Sequence, residues 1–401
     1  MSLARVIACG IGLVLMSATA GSGGDVPGNV ANGGVQVSGA SLEALTFASL
    51  AGWPDDDHDA AFTTFLRSCR ALGDGAPALR PAAETGVRLA AACEAALRWE
   101  GTARAYFERH FTPHRVLPET GRPFLTGYYE PEYDGAREAD ATFSAPLRAR
   151  PSDHVRFETG ETPPGWPEGL IAGRRTADGY QPYPDRAAIE DGALGDAAAP
   201  VVFLGHPAEA FIIHVQGSAR IRLAEGGVMR VGYAGRNGHP YTSIGRLLVE
   251  RGQMTREEMS LERLLGWLQD PQNEAQARAL MRENRSYIFF AENTGLAPQD
   301  GPVGGAGVPL TPHRSLAIDR GIWPYGLPVW LQGVLPDADG AGQQLARLMI
   351  AQDTGAAIIG PARGDYFTGS GARAGDQAGF IRHRPDFVVL LPRPPGEADC
   401  R

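Results

Sequence analysis

Three aspartates in the last quarter of the chain occupy positions that suit acid–base chemistry. Asp319 and Asp353 each follow an apolar run, and Asp365 lies twelve positions beyond Asp353. Segment 347–371 predicts a strand that ends at Asp353. A second strand over 356–359 and a glycine-bounded loop with Asp365 follow. Carboxylates on loops held by rigid strands are common in active sites, although an aspartate beside a glycine is as often a turn former.

Residue composition excludes several catalytic classes. The chain contains no lysine, since all 37 basic residues are arginines. It therefore has no Schiff-base lysine, no Ser–Lys dyad and no lysine-dependent phosphate loop. The glycine-rich residues 301–307 accordingly predict a flexible loop and no nucleotide cradle. A Gly-x-Ser-x-Gly motif is also absent, so carboxylate chemistry is the natural class.

Two versions of carboxylate chemistry compete. Asp353–Thr354–Gly355–Ala356 matches the D-T-G-[SA] signature of aspartic proteases, which need two aspartates that share one proton. Only one such motif exists, however, and Asp319 is followed by arginine. The other version is cleavage of a glycosidic bond, in which a protonated aspartate donates to the leaving oxygen.

An aromatic segment favours the second version. Residues 124–135 read FLTGYYEPEYDG and place Tyr128 near the hydroxyl of Thr126. Tyrosine rings stack on sugar faces while hydroxyls hydrogen-bond to the sugar, so this pattern predicts a glycan-binding groove. An edge strand with amphipathic aromatics remains the alternative interpretation.

Length and charge set the broad class. The 401 residues suffice for two domains or one elaborated domain, and 43% hydrophobic with 21% charged residues is ordinary for a globular protein. The net charge of −9 argues against nucleic acid and anionic membranes as partners.

The first twenty residues read as a secretory signal. Arg5 precedes the apolar residues 6–16, and Ala18-Thr19-Ala20 resembles a cleavage site. This apolar run is too short to span a membrane. Because the run continues past Cys9, lipidation there is not expected. We expect a soluble exported, periplasmic protein that starts near Gly21, with outer-membrane association left open.

The remaining cysteines suit an exported protein. Cys69 and Cys93 each lie on a predicted helix and can pair as a disulfide, although two buried free thiols are the alternative. Cys400 is left over. No Cys-x-x-Cys spacing exists, and no metal site is expected. The three scattered histidines of the central region are interpreted as structural: His206, His214 and His239.

Hydrophobic periodicity predicts helices near the start and strands later. Predicted helices cover residues 57–72, 83–99, 102–110, 242–251 and 273–283. Thr255 opens a further helix, with Glu258 completing its capping box. Predicted strands cover residues 211–215, which includes His214, then 219–223, 228–233 and 287–290. Residues 136–200 predict loops on short strands, and almost no helical period follows Gly301.

The ordered motifs resemble the lytic murein transglycosylase A family. They are FLTGYYEP, the block FIIHVQGSARIRL…VGYAGRNGHPYTSIGRLL, and the C-terminal segment with three aspartates, which together extend over residues 124–391. The resemblance implies a mainly β fold: a double-psi β-barrel, an inserted β-rich domain and a groove between them. We expect the limits 1–20 (signal), 21–126 (N-terminal helical segment joining the barrel), 127–285 (insert) and 286–395 (rest of the barrel).

The resemblance also implies an activity, that of a peptidoglycan lytic exotransglycosylase that forms 1,6-anhydromuramic acid. Asp365 matches the family's general acid, with Asp319 and Asp353 as the accompanying aspartates. The muramic acid's own 6-hydroxyl attacks C1, so one aspartate can act as acid and then as base. No cofactor or metal is implied. A glycan-binding protein without activity is the second hypothesis.

The family topology predicts where the groove residues meet. Thr126 and Tyr128 should face Gln216 and Ser218 across the cleft between the two domains. Asp365 is expected on a loop open to this cleft, and the other two aspartates are expected to be more enclosed. Peptidoglycan strands are the expected partner, and a monomer is the expected state.

Overall fold

The computed structural model describes residues 35–157, 161–256, 258–335 and 342–394. The predicted signal, Cys9 and Cys400 lie outside these ranges. The described part forms the strands β1 Val35–Val37, β2 Ala40–Ala44, β3 Phe111–Pro118, β4 Phe124–Glu130, β5 Glu132–Ala136, β6 Ala145–Arg148, β7 His154–Arg156, β8 Ala172–Thr176, β9 Gly179–Pro182, β10 Pro200–Leu204, β11 Ser218–Leu223, β12 Val228–Arg236, β13 Ile288–Glu292, β14 Ser315–Ile318, β15 Pro328–Leu335, β16 Gln343–Asp353, β17 Arg363–Ser370, β18 Arg382–His383 and β19 Asp386–Pro392.

Helices precede and interrupt these strands. They are α1 His58–Gly73, α2 Val87–Ala96, α3 Ala103–His110, α4 Arg186–Glu190, α5 Pro207–Gln216, α6 Ile244–Glu250, α7 Leu261–Gln269, α8 Glu274–Glu283 and α9 Ala372–Phe380, with 3₁₀ turns at Phe47–Ser49, Trp53–Asp55, Gly195–Ala197 and Pro271–Asn273. Within the described ranges, no helix is both long and apolar enough to cross a bilayer.

The larger sheet has ten strands in the order β1-β2-β3-β19-β15-β16-β14-β17-β4-β18. Laid flat, such a sheet would be roughly 43 Å wide. The β1–β2 turn nevertheless reaches the segment before β17, since a Cβ on Gly39 would lie 4.0 Å from Pro361 Cδ. The sheet is therefore strongly curved, although its hydrogen bonds do not close a ring within the described residues.

Alternating side chains give this sheet two buried faces. On β15, Val329 and Leu331 face the inner core, whereas Trp330 faces α1–α3 on the outside. The outer layer is aromatic, and Trp53 meets Trp330 edge to face with 5.1 Å between ring centroids. A disulfide joins Cys69 on α1 to Cys93 on α2. The mainly β fold with N-terminal helices is confirmed.

The second domain is an inserted six-stranded sheet in the order β13-β12-β11-β5-β10-β6, beside a three-stranded sheet β7-β8-β9. The chain enters this domain where β4 ends at Glu130 and β5 begins at Glu132. It leaves after β13, which ends at Glu292. Helices α5–α8 pack into a separate apolar cluster on the insert. The limits of 127 and 285 stay predictions.

The predicted strand over residues 211–215 is wrong, because these residues lie in helix α5. His206 caps the helix, with Glu209 completing a capping box, and Pro207 occupies the first turn. Gly217 ends the helix at φ 83°. Residues Phe211 to His214 are all buried, so this turn of the helix is buried on every side and its sequence shows no amphipathic period.

Three other local predictions are wrong. Residues 356–359 form a loop without strand pairing, and Ile359 is 74% exposed. Thr255 and Glu258 do exchange hydrogen bonds, but the helix begins only at Leu261 after the cap Ser260. Helix α9 follows Gly301 unpredicted, because its glycines, Gly375 and Gly379, have low helix propensity and it packs on Tyr129.

A buried ion cluster lies where the chain crosses between the domains. The carboxylate of Glu130, at the end of β4, accepts from Arg220 Nε at 2.8 Å and from Arg230 Nε at 3.0 Å. Ser370 Oγ donates to the same carboxylate at 2.7 Å. Both arginines belong to the insert and also donate to the Asp300 carbonyl. Glu130 therefore connects the curved sheet, the insert and the returning chain.

Candidate active site

Asp365 lies within strand β17 and not on a loop, which corrects the sequence prediction. Its neighbours are Thr126 on the parallel strand β4 and Ala317 on the antiparallel strand β14. Thr126 Oγ1 donates a hydrogen bond to Asp365 Oδ1 at 2.5 Å. Arg363 Nη2 in turn donates to Thr126 Oγ1 at 2.8 Å. The carboxyl group is thus held on one oxygen by a hydroxyl whose orientation is set by a guanidinium.

The environment of Asp365 favours its protonated form. Burial raises the pKa of Asp365 to about 6, and the charge of Asp353 adds to this rise. The hydrogen bond from Thr126 and the charge of Arg363 act in the opposite direction but are smaller than the effect of burial. A carboxyl group with this pKa can both give and take a proton near neutral pH.

Asp353 ends strand β16 and uses both carboxylate oxygens. Oδ2 accepts from Tyr128 OH at 2.9 Å, and Oδ1 accepts from Gly305 N at 2.8 Å. Burial and the nearby charges of Asp353 and Asp365 raise the pKa of Tyr128 well above its ordinary value. Tyr128 is therefore a neutral donor that fixes the Asp353 carboxylate beside Asp365.

Asp319 has a different environment from the other two aspartates. Its Oδ2 accepts from Gly360 N at 2.7 Å, and its Oδ1 accepts from Gly321 N at 2.9 Å. It does not line the cavity that holds Asp353 and Asp365. Asp319 therefore anchors the loop between β16 and β17 through Gly360.

Replacing Asp319 with asparagine is expected to act on stability. The amide keeps one acceptor but leaves one backbone N–H facing an NH₂ group, which should lower the free energy of unfolding by about 1–2 kcal/mol. At a temperature where the variant is folded, kcat should stay within about threefold of wild type. Urea unfolding and turnover of the same preparation would check both values. A loss of kcat above a hundredfold in folded protein would instead place Asp319 in the chemistry.

The two domains enclose a cavity of 310 Å³. Asp353, Asp365 and Tyr128 line it from the larger sheet, and Gln216 and Ser218 line it from the insert. The structure thus brings the predicted groove residues together across the cleft, with Thr126 reaching the cavity through its bond to Asp365. Gln216 Oε1 also accepts from Tyr129 N at 3.3 Å.

Sequence reasoning missed several residues of this cavity, among them Arg80, Tyr233 and Arg236. Arg80 enters from the loop between the disulfide cysteines, and its guanidinium lies 4.0 Å from the ring centroid of Tyr233. Arg236 ends β12 in the same wall. Tyr233 and Arg236 belong to the ordered block VGYAGRNGHPYTSIGRLL, but no spacing indicates that they or Arg80 lie near the aspartates, because only the folded chain brings these residues together.

The predicted structural histidines have structural partners. His206 caps helix α5, and His239 Nε2 lies 2.7 Å from the Tyr183 carbonyl. Burial, with the charge of Arg186, lowers the pKa of His214 well below its ordinary value. Among the described residues, no group of histidine, cysteine or acidic side chains could hold a metal ion.

The curved sheet, the inserted sheet and the cavity between them define a two-domain β protein with a carboxylate pair at its candidate active site. The chain belongs to the membrane-bound lytic murein transglycosylase A family. Residues 124–291 match the MltA specific insert domain, and residues 314–391 match the 3D domain.

Relatives and solved structures agree with this assignment. The chain is 32% identical over 266 residues to the membrane-bound lytic murein transglycosylase A of Vibrio cholerae, a match that covers 66% of this chain and 64% of that one. The chain thus spans slightly less than two thirds of that relative. A membrane-bound lytic murein transglycosylase from Agrobacterium tumefaciens has 34% identity and a TM-score of 0.78, covering 88% and 98% of the two chains. E. coli MltA with bound chitohexaose has 26% identity and a TM-score of 0.64, covering 88% and 95%.

Proposed function

We propose that this protein is a lytic transglycosylase that cleaves the β-1,4 bond between N-acetylmuramic acid and N-acetylglucosamine in peptidoglycan. The observation that carries the proposal is the environment of Asp365. This residue lines the cavity with a pKa of about 6, and within the described residues its Oδ2 accepts no hydrogen bond. The names of the relatives support murein as the substrate.

In the first step, Asp365 acts as general acid. Protonated Asp365 donates its proton to the glycosidic oxygen as the bond between that oxygen and C1 of the muramic acid breaks. Positive charge develops on C1 and the ring oxygen. The carboxylate of Asp353, held by Tyr128 and Gly305, lies in the same cavity and stabilises this charge.

In the second step, the same residue acts as general base. The Asp365 carboxylate takes the proton of the muramic acid 6-hydroxyl while the 6-oxygen bonds to C1. This closes a 1,6-anhydro ring, returns the proton to Asp365 and consumes no water. A hydrolase needs a second carboxylate to activate water or attack the sugar, whereas here one suffices. The hydrogen bond from Thr126 stabilises the carboxylate between the two steps.

Mass spectrometry of digested murein tests this proposal. Muropeptides that end in 1,6-anhydromuramic acid are expected, and their size distribution distinguishes cleavage at chain ends from internal cleavage. Products with a reducing-end muramic acid would make the protein a hydrolase and overturn the mechanism. Equal murein binding by wild type and Asp365→Asn without any product would make it a glycan-binding protein.

The aspartic protease alternative has no support in the geometry. Such an enzyme needs two carboxylates that share one proton. Both oxygens of Asp353 accept hydrogen bonds from other groups, those of Tyr128 and Gly305. The hydrogen bond that Asp365 accepts comes from Thr126.

We also propose that the protein is exported and works on the cell wall. The disulfide between Cys69 and Cys93 supports an oxidising compartment, where such bonds persist. N-terminal sequencing of the protein isolated from cells would test cleavage near Gly21. An intact N-terminus together with free thiols would contradict export.

The pH dependence of turnover should follow the proton on Asp365. Because the acid must be protonated, kcat/KM is expected to be level below about pH 6 and to fall about tenfold per unit above it. Asp353→Asn should keep partial activity and move this fall to lower pH, since the charge of Asp353 helps to raise the pKa of Asp365.

The measurement is a pH–rate profile of each folded variant on the same murein. Asp196→Asn is the matched control, because Asp196 is exposed on the insert, and its profile should overlay that of wild type. An unshifted profile in Asp353→Asn would show that Asp353 does not influence the acid.

A further inference from the structure

The cavity wall carries a charge opposite to that of the whole chain. The protein has a net charge of −9, yet within the described part of the chain five arginines line the cavity beside Asp353 and Asp365. They are Arg80, Arg156, Arg236, Arg320 and Arg363. A cleft lined by one sign of charge attracts the opposite charge and raises its local concentration. The excess of cations therefore points to an anionic part of the ligand.

Arg80 reaches this wall through the N-terminal region. It lies in the loop that the Cys69–Cys93 disulfide closes, and its Nη1 donates to the Thr354 carbonyl. Its guanidinium stacks on Tyr233 of the insert at 4.0 Å from the ring centroid. Among the described residues, no carboxylate forms an ion pair with Arg80. Its orientation is fixed while its charge remains available to a ligand.

Arg236 lines the same wall, at the end of β12. Burial lowers the pKa of Arg236, Tyr233 acts in the opposite direction, and the positive charges of Arg80, Arg156 and Arg320 lower it further. Within the described ranges, its guanidinium donates no side-chain hydrogen bond and pairs with no carboxylate. Like charges gathered in a half-buried wall repel one another, and a bound anion would relieve this repulsion.

We propose that Arg80 and Arg236 form a carboxylate-binding subsite that recognises the acidic substituent of the muramic acid. This inference rests on the proposed function. The sugars of peptidoglycan are neutral at their hydroxyls and acetamido groups, but each muramic acid carries a lactyl group. That group ends either in a free carboxylate or in a stem peptide with carboxylates of its own. Guanidinium groups bind carboxylates in a bidentate geometry.

The subsite would make the cavity prefer acidic glycans over neutral ones, a preference that hydrogen bonds to the sugar rings alone do not provide. A chitin-like oligosaccharide offers the same β-1,4 backbone without any carboxylate. Such a neutral chain would occupy the cavity without relieving the repulsion between the arginines. Binding of the acidic polymer should therefore depend on Arg80 and Arg236 and weaken with salt, whereas binding of the neutral chain should depend on neither.

The test compares three ligands on one inactive background. Asp365→Asn, alone and combined with Arg236→Gln or Arg80→Gln, is titrated by calorimetry with chitohexaose, with peptide-free glycan strands and with peptide-bearing strands. Arg278→Gln is the control, because it removes the same charge from the exposed side of α8. Each cavity variant should bind an acidic ligand about tenfold or more weakly and chitohexaose within twofold.

The arms of the test also identify the anion. A loss for peptide-free strands assigns the lactyl carboxylate, and a loss confined to peptide-bearing strands assigns the stem peptide. An equal loss for all three ligands, or no loss for any, would overturn the subsite. Arg236→Lys should recover part of the affinity, since it restores the charge. If wild type releases no anhydro product while this charge-selective loss holds, the proposed reaction fails and the subsite stands.

Discussion

Asp365→Asn is expected to lower turnover of peptidoglycan by about 10⁴-fold or more while glycan binding is retained. A general acid typically contributes 10²–10⁴-fold, and within the described cavity no other group has a pKa shifted to about 6. Asparagine has nearly the same shape and still accepts the hydrogen bond from Thr126. The variant should therefore lose the proton and keep the site.

The pH dependence of protein stability provides a second measurement for Asp365→Asn. In the folded protein the pKa of Asp365 is raised from 3.8 to about 6. The folded state then holds its proton more tightly than the unfolded state, so this residue's contribution to stability falls as the pH rises from about 4 to about 6. Asparagine removes that dependence. The free energy of unfolding of Asp365→Asn, taken relative to that of wild type at the same pH, should therefore be higher at pH 8 than at pH 4.

Single-turnover assays with purified murein and thermal unfolding at both pH values would check these expectations. Asp196→Asn, which changes an exposed aspartate in the same way, should leave rate and stability unaltered. Near-wild-type turnover in folded Asp365→Asn would show that the acid is misassigned, and Asp353 would be the next candidate.

The largest effect on stability is expected from Glu130→Gln. This substitution should lower the free energy of unfolding by about 3–5 kcal/mol, because it leaves two guanidinium groups buried without their counter-charge. The side chains of Glu130, Arg220 and Arg230 are only 1%, 17% and 10% exposed. Glutamine keeps the volume and one acceptor, so that the loss reports the missing charge.

Chemical unfolding of Glu130→Gln beside Asp134→Asn would measure this effect. The pair of Asp134 with Arg222 is 64% and 54% exposed, so its removal should change stability far less than Glu130→Gln does. Adding Arg230→Gln to Glu130→Gln should recover part of the loss, since one uncompensated charge is then gone. Equal, small effects of Glu130→Gln and Asp134→Asn would mean that water screens the buried cluster.

Local sequence signals were enough to predict the elements that have an amphipathic period, a helix cap or a tight turn within their own sequence. Helices α1 and α3 follow their apolar stripes, and the strands of β11 and β12 are separated by Gly226-Gly227 as predicted. The ordered motifs were sufficient to indicate the family. These signals succeed because an amphipathic face, a cap or a tight turn depends on neighbours within a few positions along the chain.

Only the tertiary structure decided how the site is assembled. Residues 211–215 lie in a helix that the sequence pattern did not indicate, because Phe211 to His214 are all buried and show no amphipathic period. Asp365 is part of a strand because β4 and β14 pair with that strand on both sides. Arg80 and Arg236 line the same cavity only because the folded chain places the disulfide loop and the insert next to each other at the larger sheet. The chain determined by itself which acids could do chemistry. Packing between distant segments decided that burial raises the pKa of Asp365 to about 6 and that Asp319 lies outside the cavity.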